Sequence, residues 1–168
     1  FSKLDPVLDF YNIMSYDFTG GEYGVPYTGH HTQLKSNPKD PDRYRRTLSA
    51  ENAASTFVKN GASPGKINLG VAFYGKSFKI AAQTPAPFVN SLGPPSEGTS
   101  EPAVFQYYDI IKNYLNRNNY FFDPVSQAPY IFDSSKGLFI TYDDPQSIKD
   151  KTSFVRMKGY HGVFAWQL

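Results

Sequence analysis

Val7-Leu8-Asp9-Phe10-Tyr11-Asn12-Ile13-Met14-Ser15-Tyr16 is crowded with aromatic and branched side chains and reads as a buried strand. Downstream, residues 17–46 turn polar and are punctuated by Gly20-Gly21, Pro26, Gly29, Pro38 and Pro41. Loops of that length are uncommon and usually functional or disordered. Ser49 then offers an N-cap, residues 50–60 carry Ala53, Ala54, Phe57 and Val58 on one side of a helix, and Gly61 suits the position after its end. A turn, Ala62-Ser63-Pro64-Gly65, leads into a second apolar strand at 67–74. Strand, loop, helix, strand implies a parallel sheet with a crossover helix.

Beyond it the character changes. Residues 85–102, with Pro85, Pro87, Pro94, Pro95 and Pro102, read as irregular loop. A helix is expected over 104–116, where Phe105, Tyr108, Ile111 and Leu115 fall roughly in phase. Three short strands follow, at 120–122, 128–132 and 138–142. The end returns to the first pattern. Asp144 caps a helix with Pro145 at its first position and Gly159 at its end, and 161–168 forms a last apolar strand. The fold class is therefore α/β: a piece of a (β/α)8 barrel, with strands in 1–76 and 144–168 and an α+β subdomain inserted over 77–143. A full barrel takes about 250 residues, and three strands cannot close one.

Composition narrows the function classes. The 168 residues carry a net charge of +2, and Arg43, Arg45 and Arg46 are flanked by Asp40 and Asp42, so no nucleic-acid footprint is expected. No apolar stretch approaches the ~20 residues of a membrane span. Cysteine is absent, which excludes disulfides and thiolate metal sites. His30-His31 has no acid or cysteine at ligand spacing and is read as a solvated or cleft-lining loop, with no metal and no cofactor. The chain opens at Phe1 and closes within an apolar run, so both ends are read as cut edges. The 13 Tyr and 14 Phe suit either an aromatic core or a surface for amphipathic ligands such as sugars.

Three strand ends choose between these. Met14-Ser15-Tyr16-Asp17 closes the first strand, Phe73-Tyr74-Gly75-Lys76 the second, and Trp166 lies near the end of the last. Parallel barrel strands present these ends on one face, where barrel active sites are built. A Tyr-Asp pair, a second Tyr and a lone Trp converging there make an aromatic-floored polar pocket that suits a sugar. Asp143 is placed facing the same cleft.

Four blocks in order carry a family resemblance. They are Leu8-Asp9-Phe10-Tyr11-Asn12-Ile13-Met14-Ser15-Tyr16-Asp17, then residues 66–78 around Gly70-Val71-Ala72-Phe73-Tyr74-Gly75-Lys76. Tyr142-Asp143-Asp144-Pro145-Gln146-Ser147 and Gly162-Val163-Phe164-Ala165-Trp166-Gln167-Leu168 follow. Together they resemble glycoside hydrolase family 18, the chitinases and their inactive lectin relatives. The resemblance implies that the strands are the sixth, seventh and eighth of the barrel, and that residues 77–143 are the insertion that walls its cleft. It implies chitin or a chito-oligosaccharide as the ligand, no cofactor, and an extracellular setting. It also implies a retaining mechanism in which the substrate's own acetamido oxygen attacks the anomeric carbon.

On that basis Tyr16 donates to the acetamido oxygen, Asp17 bonds sugar hydroxyls, Met14 packs beside the acetamido group, Trp166 forms the pocket floor and Tyr74 lines it. Lys76 stands where the family often has Arg, keeping a cation and losing the planar fork. The Trp166–Gln167 peptide is expected to be cis. The family's Asp-x-x-Asp-x-Asp-x-Glu signature is absent: Glu22, Glu51, Glu97 and Glu101 are the only glutamates, and none has that spacing. The chain alone is therefore expected to be inactive, its parent being a chitinase or, as the alternative, a chitinase-like lectin. Its missing partner is the N-terminal half of the same barrel.

Overall fold

The computed structural model describes residues 1–167. In chain order its strands are β1 (Tyr11–Ile13), β2 (Ile67–Ala72), β3 (Tyr74–Lys79), β4 (Val104–Gln106), β5 (Tyr120–Asp123), β6 (Ala128–Asp133), β7 (Leu138–Thr141) and β8 (Gly162–Trp166). The helices are α1 (Ala50–Lys59), the short turn α2 (Tyr107–Asp109), which runs on as a π-helical turn over Ile110–Tyr114, and α3 (Pro145–Lys158).

Two sheets result. One is parallel and three-stranded, in the order β1-β2-β8. The other is antiparallel and five-stranded, β4-β3-β7-β6-β5, and lies in sequence between β2 and β8. Every residue of β2 is buried, as befits a central parallel strand covered on both faces. Ile67 and Leu69 pack with Ala50 and Ala54 of α1 and with Phe154 and Val155 of α3. The antiparallel sheet is also covered twice. Ile131, Leu138 and Ile140 lie with Phe105 under Ile110 on one face, while Phe78, Phe132 and Phe139 lie under Val25 and Val89 on the other.

The helix ends follow local chemistry. The Ser49 side chain accepts the Asn52 N–H at 3.1 Å, which starts α1 as the sequence indicates. At α3 a full capping box forms: Asp144 accepts from Ser147 N at 2.8 Å, and the Ser147 hydroxyl accepts from Asp144 N at 2.9 Å. Gly159, with φ of 65°, closes that helix. Asp144→Ala is expected to cost about 0.5–2 kcal/mol, read as a lower urea midpoint of the full-length protein. An unchanged midpoint would show that the tertiary packing of α3 makes the cap redundant.

Several expectations are corrected. The first strand is only Tyr11–Ile13, because Asp5–Val7 forms a 3-10 turn and the chain bends at Ser15, whose N–H bonds Ile13 O at 2.8 Å. The second ends at Ala72. Tyr74 and Lys76 therefore do not close it but begin the antiparallel sheet, so the change of sheet falls at Phe73 rather than after Lys76. The helix expected over 104–116 is shortened, because Val104–Gln106 pairs with Tyr74–Lys76 as an edge strand. Branched Val104 and aromatic Phe105 gain ladder bonds and burial there, which overrides helical phasing.

Residues 17–46 are ordered around Arg45, which is nearly fully buried. Its guanidinium pairs with both oxygens of Asp40 and donates to Thr19 Oγ1, Tyr27 O and Thr28 O. A planar fork with five donors meets all these acceptors at once, which an ammonium could not. No helix among the described residues is long and apolar enough to cross a membrane.

Candidate functional site

The parallel strands bring Met14–Asp17, Phe73 and Trp166 to one end of their sheet, because each segment ends or follows a strand running the same way. Tyr16 fits there only because Gly70 of β2 lies beneath it: a Cβ at Gly70 would come within 2.6 Å of the Tyr16 ring. The ring is further fixed edge-on by Tyr74, at a centroid distance of 6.2 Å, and by Phe164, at 6.3 Å. Asp17 follows with φ of 61°, a left-handed conformation rare for a non-glycine residue. Its carboxylate accepts the Tyr74 hydroxyl at 2.6 Å and lies 3.5 Å from Lys76 Nζ.

A recess of about 150 Å³ opens at this point, lined by Asp17, Tyr74, Lys76, Glu101, Gln106 and Trp166 among others. Trp166 stands half exposed at its rim, and the peptide from Trp166 to Gln167 is cis, as the resemblance implies. A larger hollow of about 590 Å³, lined by Lys79, Leu92, Glu97, Tyr114 and Lys136, lies on the antiparallel sheet; none of the candidate residues borders it. The smaller recess is the better candidate, because it joins Asp17 and Trp166 at the strand ends to Tyr74, Lys76 and Glu101.

The model of the family described as glycosyl hydrolases family 18 matches residues 1–168. The chain belongs to this family. A chitinase of Niallia circulans is 31% identical over 175 residues, covering 99% of this chain and 24% of that protein. A chitinase of Yersinia entomophaga is 36% identical over 172 residues, covering 95% of this chain and 26% of that protein. Among solved structures, a chitinase of Bacillus thuringiensis superposes with a TM-score of 0.88 at 30% identity, covering 99% of this chain and 28% of that one. This family 18 chain thus spans about a quarter of the length of the curated relatives named here.

Around the recess, burial and neighbouring charges shift the titratable groups. Burial, then the Asp17 carboxylate, raises the Tyr16 hydroxyl above its ordinary value, so it remains a donor at neutral pH. Burial and the bond to Asp17 raise Tyr74 further still. Burial alone would lower the Lys76 ammonium, but bonds to Glu22 and Tyr23 and the charges of Asp17 and Glu22 outweigh it and push the group up. Lys76 is thus a fixed cation, in contact with Glu22 and 4.8 Å above the Tyr23 ring.

Of the residues singled out in the sequence, Asp17, Tyr74, Lys76 and Trp166 line the recess, while Tyr16 is buried behind it against the Tyr74 ring. Met14 is largely exposed and does not line the recess. Asp143 does not face it: the side chain is buried, 2.6 Å from Lys151 Nζ. His30 and His31 are buried rather than solvated. His30 Nε2 lies 3.2 Å from Asp123 Oδ2, whose carboxyl is held well below its usual range because bonds from His30, Ser126 and Asn37 overcome the effect of burial. Glu101 and Gln106 reach the recess unannounced, brought there by the β3–β4 pairing. The signal that could have found them was the short apolar pair Val104-Phe105 next to a proline-rich loop.

Proposed function

We propose that this chain is the C-terminal part, strands six to eight, of a retaining family 18 chitinase barrel, with residues 77–143 as its cleft-walling insertion. One observation carries the reading: Tyr16, the Tyr74–Asp17 hydrogen bond at 2.6 Å and Trp166 meet at the C-terminal ends of parallel strands. The three relatives named above are chitinases, which supports β-1,4-linked N-acetylglucosamine polymers as substrate. The edges of the parallel sheet support a missing barrel half. β8 is only partly covered, and Phe10 and Met14 beside β1 are exposed. Such edges and apolar side chains call for further strands.

In this reading Tyr16 donates to the substrate's acetamido oxygen and holds it in line with the anomeric carbon. Asp17, anchored by Tyr74 and Lys76, bonds the neighbouring sugar hydroxyls. Trp166 supports the distorted ring, and Met14 reaches the acetamido group once the remaining strands stand beside β1. The acetamido oxygen attacks, an oxazolinium forms, and water opens it with retention. The leaving oxygen needs a proton, and that acid belongs to the Asp-x-x-Asp-x-Asp-x-Glu signature, which these 168 residues do not contain. General acid catalysis typically supplies about 10²–10⁴-fold.

The 168-residue chain by itself is accordingly expected to show no turnover of chito-oligosaccharides, measured by product chromatography. Turnover by the purified chain would overturn the proposal. Sequencing the gene upstream of the Phe1 codon tests the parent. A Glu closing the signature makes it a chitinase, acting outside the cell where its polymer lies; another residue there makes it a sugar-binding lectin.

A further inference from the structure

Beneath Asp17 lies a side chain to which the proposed reaction gives no part. His31 is completely buried. Its Nδ1 accepts the Asp17 backbone N–H at 3.4 Å, and its carbonyl accepts the Phe18 N–H at 3.0 Å. Its own N–H is anchored to Thr141 Oγ1 at 3.1 Å, and its ring tilts against that of Tyr74 with centroids 5.2 Å apart. One imidazole therefore touches both members of the Tyr74–Asp17 pair.

The protonation state follows from the bonding. A nitrogen that accepts an N–H must offer a lone pair, so the ring is neutral and carries its proton on Nε2. Burial pushes the His31 pKa down to about 3, which keeps it neutral across the working range despite the nearby Asp17 carboxylate. Nε2 itself makes no hydrogen bond. Packing alone would favour an apolar side chain here, since a buried donor without a good partner is costly. The acceptor at Nδ1 is what an apolar residue could not supply. The group that uses it is Asp17, whose left-handed backbone persists only where its surroundings hold it.

We propose that His31 is a positioning residue: its Nδ1 holds the Asp17 backbone left-handed and so delivers the carboxylate to the Tyr74 hydroxyl and the Lys76 ammonium. The consequence for catalysis rests on the chitinase reading; the consequence for Asp17 geometry does not.

The test uses the full-length enzyme and three variants. Asn places its Oδ1 where His carries Nδ1, whereas Gln reaches only toward the Nε2 position and Leu offers no polar atom. His31→Asn is expected to keep kcat on chito-oligosaccharides within about threefold of the parent. His31→Gln and His31→Leu are expected to lose about 10²-fold in kcat, the scale of a misplacement of about 1 Å. The His31→Leu melting temperature should be no lower than that of His31→Asn. Crystal structures should show Asp17 with positive φ in His31→Asn and extended or right-handed in His31→Leu. The proposal is overturned if kcat follows melting temperature across the three variants, or if Asp17 keeps its left-handed φ in His31→Leu. An inactive parent enzyme would remove the chitinase reading, and the Asp17 conformation in His31→Leu would still decide the role of His31.

Discussion

Lys151→Met is expected to destabilise the full-length protein by about 3–5 kcal/mol, the range seen when one partner of a buried ion pair is removed. Lys151 is completely buried, with Nζ 2.6 Å from Asp143 Oδ2 and 2.7 Å from Thr32 Oγ1. Burial lowers its pKa, while the Asp143 charge and hydrogen bond act in the opposite direction. The carboxylate has further tasks. Asp143 Oδ2 also accepts the Ala72 N–H at 3.0 Å, and Oδ1 accepts the Ser147 hydroxyl at 2.7 Å. One buried charge pair thus fastens the end of β2, the start of α3 and the segment after β1. Methionine fills the space of the lysine stem but leaves Asp143 charged and buried without its cation. Thermal and urea unfolding of parent and variant would measure the loss. A change under about 1 kcal/mol would show that the backbone and hydroxyl donors suffice for the carboxylate.

On the proposed chitinase reading, Tyr16→Phe should lower kcat on chito-oligosaccharides about 10²-fold in the full-length protein, which is about 2.7 kcal/mol of transition-state stabilisation. The substitution removes one oxygen and leaves the ring where Gly70, Tyr74 and Phe164 hold it. KM should change little, because the hydroxyl acts on the geometry of attack more than on the affinity of the polymer. Steady-state kinetics of parent and variant would separate the two constants. A loss of less than threefold in kcat would remove Tyr16 from the mechanism.

Local rules made much of this molecule legible. Ser49, Asp144, Pro145 and Gly159 bracket α1 and α3 where the sequence places them, because caps are set by a few neighbouring atoms. That the segments carrying Tyr16, Asp17 and Trp166 end at one side of the parallel sheet followed from strand order. What escaped was set by pairing across distance. Nothing near Tyr74 says that it leaves the parallel sheet, since its partner Gln106 lies beyond a long proline-rich loop. Asp143 and His31 looked available because Asp and His are usually exposed or functional. Both are held by partners far along the chain: Asp143 by Thr32 and the Ala72 N–H, and His31 by Thr141 and the Tyr74 ring. Met14 looked like a pocket residue, and in this segment it stands open to solvent.

Phe73 is the only residue between β2 and β3, and it is bonded to β8 on one side and to the start of α2, just after β4, on the other. Its N–H goes to Trp166 O at 2.7 Å, and its carbonyl accepts from Tyr107 N at 3.0 Å. On the return path only residues 142–144 separate β7 from α3, and all three are buried. Hinges absorb their rotation in a few residues whose torsions are free to change, and neither crossing offers one. Both connections between the sheets are short, and the second is wholly buried. On the proposed chitinase reading, a polymer passing them would meet a wall tied to the barrel at both crossings, and the side chains that overhang it would shape the path.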